Sequence, residues 1–349
     1  MAVIVMADDG IVFDGTTPEK GPLGGAESSF INLAETLAAR GHKVMVRNKC
    51  ERPILHKGVD WAPLAQGLPE SADLFIANRG DKLILAMPEA RKTIFWTHNP
   101  ASYMMKWRYL WKLALKRPDI VFIGDYHATT YPAWAPGGKR VVIPYGIPDL
   151  FRKAEPGEGA PGPRAVFTSN PLRSLDWLLD LWEQSIRPRL PGAELHVFSG
   201  AATYGAVGDM KAEAMRQVLA KAKALETSGV VLRGPVPKAQ LVEEFRVARC
   251  LLYKGDNNET FCLAVGEAQA MGVPGVVQPI GSVVERVRHG ATGFVAPDDA
   301  SFADSAVQIL SDDVLWASMH EEALLLQRKW GWEQAAGEFE KLLPDGAAA

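Results

Sequence analysis

The sequence predicts an α/β protein built from two doubly wound, Rossmann-like domains, and three observations carry that prediction. Short apolar runs alternate with segments of helical period from Val3 onward, the pattern of parallel strands joined by covering helices. A stretch crowded with Gly and Pro interrupts the alternation near mid-chain. Beyond it the alternation resumes at Arg164. The expected division is therefore a first domain over 1–148, a linker over 149–163, a second domain over 164–330, and a closing helix and tail over 331–349.

Size and composition agree with this. The 349 residues suffice for two separate cores, and 47% hydrophobic with 23% charged residues is ordinary for a globular chain. A net charge of -3 gives no general attraction to nucleic acid, so an anionic ligand must be met by a local patch. Cys50, Cys250 and Cys262 are odd in number and sit in mostly apolar surroundings, which reads as reduced thiols and a cytoplasmic setting. The apolar start, Val3 to Ala7, is too short for a signal peptide, and no run reaches the length of a membrane span.

In the first domain, Val3 to Met6 reads as a buried strand. Phe30, Leu33, Ala34, Leu37 and Ala38 follow at helical spacing, and Lys43 to Arg47 forms the next strand. A glycine loop with Gly24 and Gly25 opens the helix. A dinucleotide-binding reading of that loop fails, because the fingerprint must sit tight against the first strand and here Asp8 to Pro22 intervenes. Further strands are expected at Leu74 to Ala77, Thr93 to Thr97, Ile120 to Ile123 and Arg140 to Ile143. His98 follows one of these strands, where open α/β sheets gather ligands; it is either a site residue or a hydrogen-bonded structural histidine.

The segment 104–117 carries Lys106, Arg108, Lys112, Lys116 and Arg117 without an acid. Met104, Trp107, Trp111 and Leu115 line one helical stripe, and Arg108, Lys112 and Lys116 line another. Two readings follow: a helix lying on an anionic membrane surface, or one packing its aromatic stripe on the sheet.

In the second domain, strands are expected at Arg164 to Thr168, Leu195 to Phe198, Val230 to Leu232 and Cys250 to Tyr253, with a helix marked by Leu175, Leu178, Leu179 and Trp182. The chemistry concentrates after the last of these strands. A polar Gly/Asp/Asn loop ends at Glu259, and a helix buried on all sides is expected from Phe261 to Met271, with Gly272 at its end and Pro274 forbidding continuation. Glu267 lies within that apolar helix and needs a partner, because an unsatisfied buried carboxylate costs several kcal/mol, on the order of any buried charge. The free amides of Thr260, Phe261, Cys262 and Leu263 are expected to crown the helix start and attract phosphate. Hydroxyl acceptor, anion site and hydroxyl acceptor then follow one another, which suits a nucleotide sugar.

Glu259-Thr-Phe-Cys-Leu-Ala-Val-Gly-Glu267, followed by Ala268-Gln-Ala-Met-Gly-Val-Pro274, resembles the Glu-x7-Glu signature of retaining glycosyltransferases of family four. The resemblance implies the GT-B fold, two Rossmann-like domains facing a central cleft. It implies transfer of a hexose from a nucleoside-diphosphate sugar to a saccharide or lipid-linked acceptor, as in cell-surface polysaccharide or glycolipid synthesis; no metal and no further cofactor is expected, because cations and helix amides can carry the leaving charge and no Asp-x-Asp pair follows a strand. By the same resemblance Glu259 holds the sugar, Glu267 the ribose, His98 lines the site near the transferred sugar, and Gly24-Gly25 approach the donor phosphates. Trp330-Gly-Trp332-Glu resembles the family's closing helix, which often crosses back to the first domain, and Ile143-Pro-Tyr-Gly-Ile-Pro148 its Pro-Asn-Gly segment, with Tyr145 in place of Asn.

The sequence departs from the family at one cation. Arg173 takes the place of the usual Lys, and nothing from Phe167 to Leu172 supplies the earlier Arg. Lys254 stands where a neutral residue is usual and is the candidate substitute, although a lone loop lysine is as readily solvated. The alternative to an active enzyme is a nucleotide-sugar-binding protein of the same fold whose catalysis has lapsed.

Overall fold

The computed structural model describes residues 1–21, 23–200 and 212–346. They form two compact units, Met1–Gly146 with the segment from Trp332 onward, and Ile147–Gly331.

The first unit is built on strands Val3–Asp8 (β1), Lys43–Asn48 (β2), Ile54–His56 (β3), Val59–Pro63 (β4), Ala72–Asn78 (β5), Ala90–Trp96 (β6), Asp119–Phe122 (β7) and Arg140–Val142 (β8). They lie in the order β3-β4-β2-β1-β5-β6-β7-β8, parallel throughout except for β3 against β4. The central strands are apolar on both faces because helices cover both sides. Helix α1, Gly25–Ala39, buries Phe30, Leu33, Ala34 and Leu37, the positions whose spacing marked it in the sequence. The C-terminal helix Trp332–Glu340 belongs to this unit: Glu340 and Glu333 accept from Arg40 at 2.7 and 2.9 Å, and Phe339 meets Trp96 edge-on.

Helix α2, Trp107–Lys116, packs through Tyr109 and Leu113, together with Met104, into a core shared with Phe95 and Phe122. The stripe weighed in the sequence therefore divides. Met104 is buried, while Trp107, Trp111 and Leu115 are 76%, 40% and 70% exposed. Arg117, at φ 48°, turns the chain out of the helix.

The second unit holds Asp149–Arg152 (α3), Arg164–Phe167 (β9), Leu175–Leu181 (α4), Glu194–Val197 (β10), Ala212–Ala224 (α5), Val230–Leu232 (β11), Lys238–Arg246 (α6), Cys250–Tyr253 (β12), Leu263–Ala270 (α7), Gly275–Val277 (β13) and Gly293–Val295 (β14). The sheet is fully parallel in the order β11-β10-β9-β12-β13-β14. Strand order reverses between β9 and β12, and in such sheets ligands bind where the loops leaving the two central strands diverge.

The start of the expected linker is not a linker. Asp149–Arg152 is helical, and Phe151 is fully buried with its ring 6.0 Å from that of Phe245, so an apolar anchor ties this turn into the second unit.

Candidate active site

Two loops meet at the switch point of the second unit. The loop after β9 carries Arg173, set by an Asn170 turn in which the Leu172 amide donates to Oδ1 of Asn170 at 2.8 Å and the Arg173 amide to its carbonyl at 2.9 Å. The loop after β12 carries Glu259, whose amide donates to the Asp256 carbonyl at 2.9 Å and whose own carbonyl accepts from Ser282 at 3.2 Å. Arg173 forms an ion pair with Glu259, and the Tyr253 hydroxyl donates to the same Glu259 oxygen at 2.5 Å. Burial, and then the Glu259 charge, push the Tyr253 phenol well above its ordinary range. The guanidinium of Arg173 stays charged against its burial because Glu259 faces it.

The helix after Glu259 begins two residues later than the sequence suggested. Cys262 is its N-cap in a left-handed conformation, φ 64°, and Leu263 is its first residue. The first-turn amides are those of Leu263, Ala264 and Val265, the last facing the Cys262 sulfur. Thr260 and Phe261 lie in the turn before the helix and Cys262 is its N-cap, so of the four expected residues only Leu263 contributes a first-turn amide. Non-glycine residues at such φ are uncommon, which is why sequence pattern missed this break. Burial pushes the Cys262 thiol well above its ordinary range.

Three cations are carried by these loops and the segment after β13. Besides Arg173, Lys254 stands at the end of β12 with Nζ 4.3 Å from the centre of the Trp177 ring, an aromatic support on α4. Arg286, which the sequence reading did not single out, places its guanidinium 4.5 Å from the Phe261 ring centre.

Glu267, 4% exposed within α7, has the partner its burial demands. Lys238, the first residue of α6, forms an ion pair with Oε1 of Glu267. The sequence reading missed Lys238, which lies 29 residues earlier in the chain. Two residues past Glu267, Gln269 donates to the carbonyl and hydroxyl of Thr292 at 3.0 and 3.1 Å, fixing α7 against the loop before β14.

The first unit gathers polar residues at the C-terminal ends of β1, β5 and β6. Arg79 pairs with Asp8 and Glu27, both at 2.9 Å, and Asn78 donates to Asp8 at 2.5 Å. Gly24 is the N-cap of α1, where a Cβ would meet the Glu27 carboxylate and displace it, and Gly25 opens the helix. His98, 4% exposed, bonds Asn78 Oδ1 through Nε2 and the Tyr145 hydroxyl through Nδ1. The Asn78 oxygen is an acceptor, so Nε2 carries the hydrogen and Tyr145 donates to Nδ1. Burial first, then Arg79, hold the His98 pKa well below its ordinary value, and the ring is neutral. The structure thus makes His98 a hydrogen-bonded member of this network; Asp8, Asn78, Arg79 and Glu27 were not legible as members.

Residues 163–312 match the family model described as Glycosyl transferases group 1. A D-inositol 3-phosphate glycosyltransferase of Corynebacterium efficiens is 31% identical over 117 residues, 33% of this chain and 27% of that protein. The matched segment therefore spans about a quarter of the relative's length. Among solved structures, a sucrose-phosphate synthase of Thermosynechococcus elongatus superposes with TM-score 0.74 at 15% identity, covering 97% of this chain and 98% of its own. The Anabaena protein HepE, solved with UDP and glucose, gives TM-score 0.69 at 15% identity over 98% and 99% of the two chains. These likenesses show the GT-B fold.

Proposed function

We propose that this chain, whose second unit carries the group 1 glycosyl transferase sequence, moves a sugar from a nucleoside-diphosphate donor to an acceptor. One observation carries the reading: at the switch point of a Rossmann-like sheet, one buried carboxylate precedes the first turn of α7 and another follows it, and each is held by a cation. In this reading Glu259 holds the sugar hydroxyls, the amides of Leu263 and Ala264 meet the diphosphate, and Glu267 takes the ribose. Arg173, Lys254 and Arg286 supply the positive charge that the leaving diphosphate needs. Arg173 in contact with Glu259 supports an active enzyme over a lapsed one, because the cation stands beside the group assigned to the sugar. Incubation with UDP-, GDP- and ADP-sugars and a panel of saccharide acceptors tests this by release of nucleoside diphosphate. No release with any donor, from protein that binds the nucleotide, would return the reading to a binding protein.

Retention of the donor's anomeric configuration belongs to the same proposal. A double displacement needs a carboxylate on the sugar face opposite the leaving group, and Glu259 leads into the phosphate helix on the donor side. Attack on the leaving-group face, with the phosphate taking the acceptor's proton, is the route proposed. The cations and amides do the work of a metal, so turnover requires none.

The acceptor side is assigned to a cytoplasmic, anionic membrane surface met by α2, with a lipid-linked or saccharide acceptor of cell-surface synthesis. Trp107, Trp111 and Leu115 stand exposed one turn apart, and Arg108 is 60% exposed beside them, which supports an interfacial role. Among the described residues no helix is long and apolar enough to cross a membrane.

A further inference from the structure

Lys238 occupies a place that local helix physics disfavours. It is the first residue of α6, whose first turn has no acid, so its charge sits at the positive end of the helix. The reason for a lysine there is tertiary. Its Nζ bonds Oε1 of Glu267 on α7 and lies 5.8 Å from the centre of the Phe151 ring, which is itself buried and packed on Phe245 of α6. Aromatic ring and carboxylate together fix the ammonium. The Glu267 side chain is 6% exposed, whereas that of Lys238 is 39% exposed, so the lysine is the more accessible partner of the pair.

We infer that Lys238 is a positioning and specificity residue of the donor site, one that makes the protein select ribonucleotides over deoxyribonucleotides. The inference rests on the assignment of Glu267 to the ribose. With Oε1 engaged by Lys238, the carboxylate is held in one orientation and offers Oε2 to a ribose hydroxyl. That hydroxyl donates to Oε2, and its oxygen accepts from the ammonium. A hydroxyl that both donates and accepts is read twice, and a nucleotide lacking it loses both bonds and leaves Oε2 of Glu267 without its donor. Sites that hydrogen-bond a substrate hydroxyl reject the analogue lacking it for this reason.

The test is calorimetric titration of the intact chain with UDP, 2′-deoxy-UDP and 3′-deoxy-UDP, repeated with the guanosine and adenosine series if UDP does not bind. The unmodified protein is expected to bind one deoxy analogue about tenfold more weakly than the parent nucleotide, the loss set by hydrogen bonds to charged groups. Lys238→Met should weaken the parent about tenfold and shrink the gap to about threefold or less, and Lys238→Arg should restore the gap. If Lys238→Met does not fold, Lys238→Leu, which likewise removes the donor, serves in its place with the same expectation. A lowered melting temperature with the gap unchanged would overturn the inference and leave Lys238 a structural ion pair. Failure of the unmodified protein to bind any of the three nucleoside diphosphates would instead overturn the donor site, and the inference with it.

Discussion

Arg173 and Glu259 form an ion pair at the switch point of the second unit although 86 residues separate them in the chain. The Tyr253 hydroxyl completes the contact from the end of β12. One guanidinium is thereby held at the group assigned to the sugar, beside the first turn assigned to the phosphates. Arg173→Ala is expected to lower kcat by about 10²- to 10³-fold, as when a preorganised donor to developing charge is removed. Steady-state kinetics against a saturating donor checks this, and an unchanged kcat removes Arg173 from the reaction.

Two buried histidines of the first unit predict acid sensitivity. Burial lowers the His127 pKa to about 4, and its neutral ring accepts from the Ile123 amide at 3.1 Å and donates to the Asn99 carbonyl at 2.8 Å. His98 is lowered in the same direction. The unfolded chain takes up these protons below its pKa of about 6.5, while the folded chain does not. Their contribution is complete above that pH and is lost as pH falls toward the folded values. Urea unfolding at pH 7.5 and pH 5.0 should show a loss of about 1.4 kcal/mol per pH unit for each histidine within its window. Equal stability at the two values would place both rings in contact with solvent.

The exposed stripe on α2 predicts binding to vesicles. Lys112 is a poor probe, because it bonds Asp81 at 2.6 Å and its side chain is only 14% exposed. Trp107→Ser with Leu115→Ser removes apolar surface that supports no core, and should release the protein from anionic vesicles at low salt without lowering its melting temperature. Sedimentation of the unmodified protein away from such vesicles would contradict the interfacial role.

Much of the second unit was legible because its signals are local. The Glu259 to Pro274 segment lies in one strand, loop and helix, and the buried character of α7 is written in its small apolar residues. What stayed hidden depends on residues brought together from afar. Nothing in the run from Lys238 to Arg246 says that its first residue reaches Glu267, and single polar residues such as Asp8, Asn78 and Arg79 at strand ends carry no periodicity. For α2 the sequence reading followed one apolar stripe through Trp107, Trp111 and Leu115, and only packing decided that Tyr109 and Leu113 face inward. The short strands β3, at the sheet edge, and β4 beside it escaped because 54–63 mixes polar residues among its few buried ones, Val59, Trp61 and Ala62.

The route of transfer predicts a product with the donor's anomeric configuration and no covalent sugar on the protein. Proton NMR of fresh product reads the first, and mass spectrometry of protein held with donor reads the second. Turnover should survive EDTA. An inverted anomer would refute retention, a glycosyl adduct on a carboxylate the same-face route, and activity restored only by magnesium or manganese the metal-free one.

The central claim is that the carboxylate of Glu267, within α7, receives the ribose of a nucleoside diphosphate. Calorimetric titration of the unmodified chain and of Glu267→Ala with UDP, GDP and ADP tests it most directly. At least one of the three should bind the unmodified protein, and the substitution should weaken that nucleotide about ten- to a hundredfold, the loss expected for hydrogen bonds to a charged acceptor. Equal affinity in the two proteins, with the variant folded, would contradict the claim.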